Sequence, residues 1–274
     1  MNILIFAAGL GTRLKPLTDT MPKALVPVQG TPLLGHLIHK IKNSMSSQAS
    51  DIHIVINIHH FADQIIDYVR SNQSFGLDIQ FSDERYQLLE TGGGLRKALP
   101  LFPDDSPILI HNVDILSNVN LSQFYASFPA DAAAQMIVSQ RNTSRYLLFG
   151  QNQRLLGWTN VTTGEVKGPS SLITQVPPLQ RGGQERSSSS PLEGRPEGGQ
   201  PFHYAFSGIQ IVNPTLLRPY LDQWQGKFSI IDFYLSICDK VDIRCDLRTD
   251  LHMIDVGKLD TLDHLRQCNI QELL

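Results

Sequence analysis

Two short runs of almost purely aliphatic character, Ile3-Leu4-Ile5-Phe6 and Ile52 to Ile58, constrain the fold of this chain more than any other feature. An apolar run of this length bounded by turn formers reads as a strand buried on both faces, which is the habit of strands in parallel sheets. The stretch between them agrees. Thr31 caps a helix opened by Pro32, and Leu33, Leu34, Leu37, Ile38 and Ile41 repeat on one helical face to about Lys42. Ser44 to Ser50 is a polar connection. Past the second run, Ile65, Ile66 and Val69 recur at helical spacing between Ala62 and Arg70, and Leu77 to Phe81 reads as another strand. A β-α-β-α-β order of this kind implies an α/β fold with a mostly parallel sheet and helices on its faces. Ligands of such sheets sit beyond the carboxyl ends of the strands, where Asn57 also lies.

The first strand empties into Ala7-Ala8-Gly9-Leu10-Gly11-Thr12-Arg13, and Pro22-Lys23-Ala24-Leu25-Val26-Pro27 then sets a lysine between two prolines. Gly9 and Gly11 are expected to take positive φ and turn N–H groups toward an oxyanion, with Arg13, Lys15 and Lys23 converging on it. The spacing fits neither common phosphate motif: no lysine completes a Walker A loop, and Leu14 stands where a dinucleotide fingerprint needs its third glycine.

Leu89-Glu90-Thr91-Gly92-Gly93-Gly94 opens a short helix and offers free N–H donors there, and three glycines in a row imply a packing or ligand requirement. The strand Pro107 to Ile110 runs into His111-Asn112-Val113-Asp114, which places Asp114 where α/β enzymes hold a Mg²⁺ ligand. The alternative for Asp114 is a turn residue. Asp255 is a second carboxylate after a short apolar pair, or else the cap of a helix over residues 258–267. Strands are expected at 132–139, 145–149 and 155–159, at Phe202 to Val212 with Ser207-Gly208 allowing close approach of a ligand, and at Val241 to Leu247. Ser229 caps a helix through Leu235. Gly168 to Gln200 holds 6 Gly, 5 Pro and 6 Ser in 33 residues and no aromatic, so it reads as a disordered insertion within a single domain spanning 1–274.

Composition excludes other classes. A formal net charge of −3 gives no positive field for nucleic acid, and no 18-residue apolar run or leader is present, so the expectation is a cytoplasmic protein without a membrane partner. The three cysteines read as reduced, mostly buried thiols. His59, His60 and His111 lack zinc spacing and read as pocket lining or surface.

Ala7 to Thr18 followed by Pro22 to Val28 resembles the nucleotide-binding segment of the sugar-phosphate nucleotidyltransferases, and 89–94, 206–209 and 254–257 match later motifs of that family in order. The resemblance implies a Rossmann-like fold and a Mg²⁺-dependent reaction of a nucleoside triphosphate with a sugar 1-phosphate that releases pyrophosphate, by a monomer or small homo-oligomer. The short form with Glu-Thr-Gly-Gly-Gly implies UTP and N-acetylmuramate 1-phosphate, with a mannose 1-phosphate guanylyltransferase or a catalytically weak sugar-nucleotide-binding module as alternatives. By the same resemblance Arg13 grips the leaving phosphates, Lys23 the reacting ones, and Asp114 and Asp255 hold Mg²⁺. Ala7, Ala8, Gly9, Gly11, Thr12, Gly92, Gly93 and Asn112 surround the nucleotide, and Asn57, Glu90, Thr91, Ser207, Gly208 and Asp232 the sugar. Two departures are expected to matter: Val113, where the family usually has glycine, alters ribose packing, and the insertion perturbs acceptor binding.

Overall fold

The computed structural model describes residues 1–44, 51–173, 201–270 and 273. Strand β1 (Asn2–Phe6) leads through the glycine loop to a hairpin of β2 (Pro27–Val28) and β3 (Thr31–Pro32), and then to α1 (Leu33–Ser44). Gln29 and Gly30 both have positive φ, 49° and 84°, as a two-residue hairpin turn matched to strand twist requires. Thr31 and Pro32 are therefore spent on the hairpin, and the helix begins just after the Pro32 start expected of it. The alternating half continues with β4 (His53–Ile58), α2 (Ala62–Ser71), β5 (Asp78–Asp83), α3 (Glu90–Ala98) and β6 (Ile108–Asn112).

Beyond β6 come β7 (Ile115–Ser117), α4 (Leu121–Ala126), β8 (Ala134–Ser139), β9 (Arg145–Phe149), β10 (Leu155–Asn160), β11 (Glu165–Lys167) and α5 (Ser170–Ile173). Then follow β12 (Phe202–Val212), α6 (Pro214–Leu221), α7 (Ile230–Ile237), β13 (Ile243–Leu247), β14 (Met253–Asp255) and α8 (Leu259–Gln267). Strands β5, β4, β1 and β6 lie side by side and parallel. Beyond them β12 runs antiparallel to β6, and its first residues pair with the meander β9-β10-β11.

Alternation within the buried strands assigns the two faces. Ile3, Ile5, Ile54, Ile56 and Leu109 pack against α1, α2 and α4, while Leu4, Val55, Ile108 and Ile110 pack against α3, α6 and α7. This is the Rossmann-like α/β arrangement with helices on both faces. A third cluster joins the ends of the chain: Leu14, Val26, Val28 and Leu33 pack on Val256, Leu262 and Leu265, and Gln29 donates to the Leu265 carbonyl at 2.9 Å. No helix among the described residues is long and apolar enough to cross a membrane.

The disordered insertion expected over 168–200 begins with order: Pro169 accepts from Leu172 at 2.9 Å, closing the turn of α5. The rest of that expectation, from 174, lies outside the described residues, as does most of the 44–50 connection.

The glycines of α3 are a packing requirement. A Cβ on Gly92 would stand 2.4 Å from the Phe228 ring, and one on Gly93 would stand 2.4 Å from the Gly226 carbonyl oxygen. Alanine normally stabilises a helix interior relative to glycine, by about 0.5–1 kcal/mol. Here the backbone conflict reverses the sign, and Gly93→Ala is expected to lower unfolding stability by about 1–3 kcal/mol in a urea titration; an unchanged or higher midpoint would show that α3 and the 226–228 turn can separate freely. The thiols give a second check. Burial pushes Cys238 up to about 11 and Cys245 up to about 12, whereas Cys268 is only partly buried. With a chromogenic disulfide at pH 8, Cys268 should react in the native protein and the other two only after denaturation.

Candidate active site

The carboxyl ends of β1, β4 and β6 open into a cavity of about 540 Å³, walled by residues 7–14, Lys23, Asn57, Leu88, Glu90, Thr91, residues 112–114, Ser229 and Gly257. The glycine loop forms one wall. Gly11 has φ 64°, and a Cβ there would lie 2.8 Å from Thr18 Cγ2, so the turn needs glycine. Gly9 does not adopt positive φ as expected; a Cβ on it meets nothing within 4 Å, and it is simply small beside the cavity. The loop then closes into a single turn of 3-10 helix, Thr12–Leu14, anchored by buried Leu14.

Asn57, expected on the sugar side, lines the first cavity with its side chain engaged within the protein. Its Oδ1 accepts from Ala7 N at 2.6 Å and Ala8 N at 3.1 Å, and its Nδ2 donates to Glu84 Oε1 at 2.9 Å. The Ala7 and Ala8 N–H groups are thus used within the protein, which leaves their carbonyls and the Gly9 backbone to a ligand. Glu84, which sequence reasoning missed, also accepts from Leu89 N through Oε2 at 3.0 Å. Burial pushes its carboxyl above the usual range, against the two hydrogen bonds and the fields of Lys97 and His59.

Four further expectations meet a different geometry. Gly92 and Gly93 donate their N–H groups to the Phe228 carbonyl, at 2.9 and 3.3 Å, and do not line the cavity. Ser207 is buried and donates to Ile137 O at 2.8 Å, and Gly208, at φ 80°, leaves room for the Asn112 amide rather than for a ligand. Lys15 pairs with Asp19 at 2.9 Å on the surface, away from Arg13 and Lys23. His111, expected at a pocket or surface, is wholly buried in the sheet, where burial lowers its imidazole to about 4 and keeps it neutral.

The charged centre does assemble. Strands β7 and β14 pair antiparallel with Asp255 opposite Ile115, and Val256 N donates to Asp114 O at 2.8 Å, so both carboxylates stand at one end of this ribbon. Lys23, 9% exposed, reaches into the cleft and pairs with Asp114 Oδ2. Burial, then the neighbouring Asp114, pushes the Asp255 carboxyl up against the opposing pull of Lys23, Arg13 and Arg141. A Cβ on Gly257 would lie 2.7 Å from Arg13 Nη2 and 2.8 Å from Asp255 Oδ1, so this glycine admits the guanidinium beside the acid. Among the described residues no three His, Cys, Asp or Glu side chains are grouped to hold a metal ion. Two carboxylates are what Mg²⁺ commonly takes from a protein when phosphates complete its shell.

A second cavity, about 520 Å³, meets the first at Ser229. Arg145, Leu147, Trp158, Asn160, Glu165 and Lys167 share one face of the β9-β10-β11 meander, α7 supplies Asp232 opposite, and Arg141 closes the end nearer Asp255. Lys167 stands 5.2 Å over the Trp158 ring and 3.8 Å from Asp232. Of the expected sugar-side set, Asp232 belongs here, whereas Glu90, paired with Lys227 at 3.2 Å, and Thr91, which accepts from Ile230 N at 2.9 Å, line the first cavity. The cations and Trp158 were findable only in the alternation of residues 145–147 and 158–160.

A glycine turn at the first strand, paired carboxylates past β6 and a second cavity under an antiparallel meander define a nucleotide-handling α/β protein. The family model for nucleotidyl transferases matches residues 2–152, and the chain belongs to that family. It is 42% identical over 113 residues to N-acetylmuramate alpha-1-phosphate uridylyltransferase from Caulobacter vibrioides, covering 40% of this chain and 44% of that protein. The protein of the same description from Neisseria meningitidis serogroup B is 37% identical over 139 residues, 50% of this chain and 58% of its own length. The chain thus spans about half the length of the curated relatives it matches. HddC from Yersinia pseudotuberculosis complexed with GMP-PN shares the fold, with a TM-score of 0.65, 19% identity, and coverage of 97% of this chain and 98% of that one.

Proposed function

We propose that this chain transfers a nucleoside monophosphate from a nucleoside triphosphate to a sugar 1-phosphate, with UTP and N-acetylmuramate 1-phosphate as the substrates and pyrophosphate as the second product. One observation carries the reading: the two cavities meet beside a cleft that sets Lys23, Asp114 and Asp255 together, with Arg13 on the first side and Arg141 on the second. The reaction joins two anions, so it needs charge neutralisation and alignment more than a protein nucleophile. An oxygen of the sugar phosphate attacks the α-phosphorus in line, the new P–O bond forms, and the bond to the bridging oxygen breaks to release pyrophosphate.

Each side chain has a task in that step. Arg13, held beside Gly257, binds the leaving phosphates; Lys23 binds the α-phosphate. The base and ribose lie between the glycine loop and Leu88 to Thr91, with Asn112 and Val113 beneath the ribose. Val113, where the family usually has glycine, is buried, donates its N–H to the Phe6 carbonyl at 3.1 Å and lines the first cavity. The donor set fits Mg²⁺, because Asp255 is raised by burial and then by the adjacent Asp114, and a divalent cation would offset both. When bound, the ion screens the two phosphates from one another. Arg141 faces the acceptor phosphate, and Arg145 and Lys167, farther along the meander, suit a second anionic group such as the carboxylate of a muramic acid.

A pyrophosphate-release assay with Mg²⁺, the four common triphosphates and several sugar 1-phosphates tests the reading. Asp114→Asn should lower kcat at least about 100-fold; turnover within a few fold of wild type would return Asp114 to the part of a turn residue. Arg145→Gln should raise KM for N-acetylmuramate 1-phosphate about tenfold while leaving KM for the triphosphate and for 1-phosphates of sugars without a carboxylate unchanged, and equal effects on all acceptors would dismiss the carboxylate assignment.

A further inference from the structure

Glu84 is a carboxylate with only 1% of its surface exposed, and the basic side chains nearest it, Lys97 and His59, act through space rather than by a hydrogen bond. Burying a carboxylate without a bonded cation is costly, so a side chain needed only to link β5 to α3 would be better neutral. What the position demands is two acceptors aimed in opposite directions. Oε1 receives Asn57 Nδ2 at 2.9 Å, and Oε2 receives Leu89 N at 3.0 Å. A glutamine has one acceptor oxygen and would present its amide hydrogens to one of these donors.

The two partners belong to opposite walls of the first cavity. Asn57 holds Ala7 N and Ala8 N, the start of the glycine loop, and Leu89 begins the wall of Leu88, Glu90 and Thr91. Glu90, next to Leu89, sits at φ 60°, a conformation that a residue with a side chain adopts only when its surroundings hold it there. Gly94 on α3 belongs to the same device: a Cβ on it would lie 3.0 Å from Glu84 Oε1 and 3.1 Å from Asn57 Nδ2, so the glycine leaves the space the pair occupies.

We infer that Glu84 is a positioning residue which, through Asn57 on one side and Leu89 on the other, fixes the separation of the two cavity walls and thereby the width of the slot for the nucleotide base. The inference rests on the nucleotide reading of the first cavity. Glu84 touches no substrate, and its effect is on nucleotide affinity rather than on the chemical step or the acceptor.

The test is an exchange of groups. Binding is measured by calorimetry with Mg²⁺ and whichever of UTP, GTP, CTP and ATP binds wild type tightest, alongside melting midpoints and steady-state kinetics. Glu84→Gln should weaken nucleotide binding about tenfold, with KM for the sugar phosphate unchanged. The double variant Asn57→Asp/Glu84→Gln swaps carboxylate and amide and restores every bond: the carboxylate at 57 accepts Ala7 N, Ala8 N and the new amide, whose oxygen accepts Leu89 N. Its nucleotide affinity should return to within about threefold of wild type. A folded Glu84→Gln with wild-type affinity overturns the inference. So does a folded double variant that still binds weakly, or one that fails to fold with all its bonds restored. Should Glu84→Gln not fold, the double variant decides alone by the same criteria. Wild type that binds a nucleotide but shows no turnover removes the proposed reaction and leaves this role of Glu84 to be judged by affinity.

Discussion

The pairing of Lys23 with Asp114, beside a second carboxylate in the same cleft, is the interaction the rest of the molecule is arranged to sustain. Two acids and a lysine this close are costly to desolvate, and they persist because rigid elements deliver each of them. The lysine comes from a 3-10 turn between Pro22 and Pro27, Asp114 from the end of a central parallel strand, and Asp255 from a short ribbon that hydrogen-bonds back to Asp114. The anion-binding role proposed for this cleft needs such a balance. Cations alone would serve binding, but the acids allow a metal to be shared with the ligand.

The parallel half and the antiparallel half of the sheet divide the labour. Parallel strands end at one edge, so β1, β4 and β6 present their terminal residues together, and helix packing on both faces leaves that edge open. One face of the meander beyond β12 carries Arg145, Trp158 and Lys167 around the second cavity, with Leu147 on the same face joining the core. A single sheet thereby supplies one cavity from strand ends and another from a strand face.

The alternating half of the fold was legible because its strands are apolar on both sides and its helices repeat with an unmistakable period. Asp114 and Asp255 stood out in the sequence because each follows a short apolar run, and the fold sets the two together at one end of the β7-β14 ribbon. The three glycines 92–94 misled for a physical reason. Local sequence marks glycine as a requirement without saying whether a ligand, a ring or a carbonyl needs the space, and here the ring of Phe228 and the carbonyl of Gly226 do. Ser207 failed likewise, since its hydroxyl is satisfied by Ile137, distant in sequence. Glu84 was invisible for the opposite reason: a glutamate among Asp83, Arg85 and Tyr86 reads as a surface charge, and only the tertiary fold turns it inward. Val113, noted as a departure from its relatives, proved to be part of the cavity floor.

The third apolar cluster carries a consequence in time. Leu14, Val26 and Val28 are made long before the residues that cover them, Val256, Leu262 and Leu265. During synthesis the central parallel strands can pair while the glycine loop still lacks its support, because the residues that cover it come later in the chain. The glycine loop is consequently completed only once α8 has been made, although it precedes most of the sheet in the chain, and a chain interrupted before α8 holds paired strands above a loop that lacks the cover of Leu262 and Leu265.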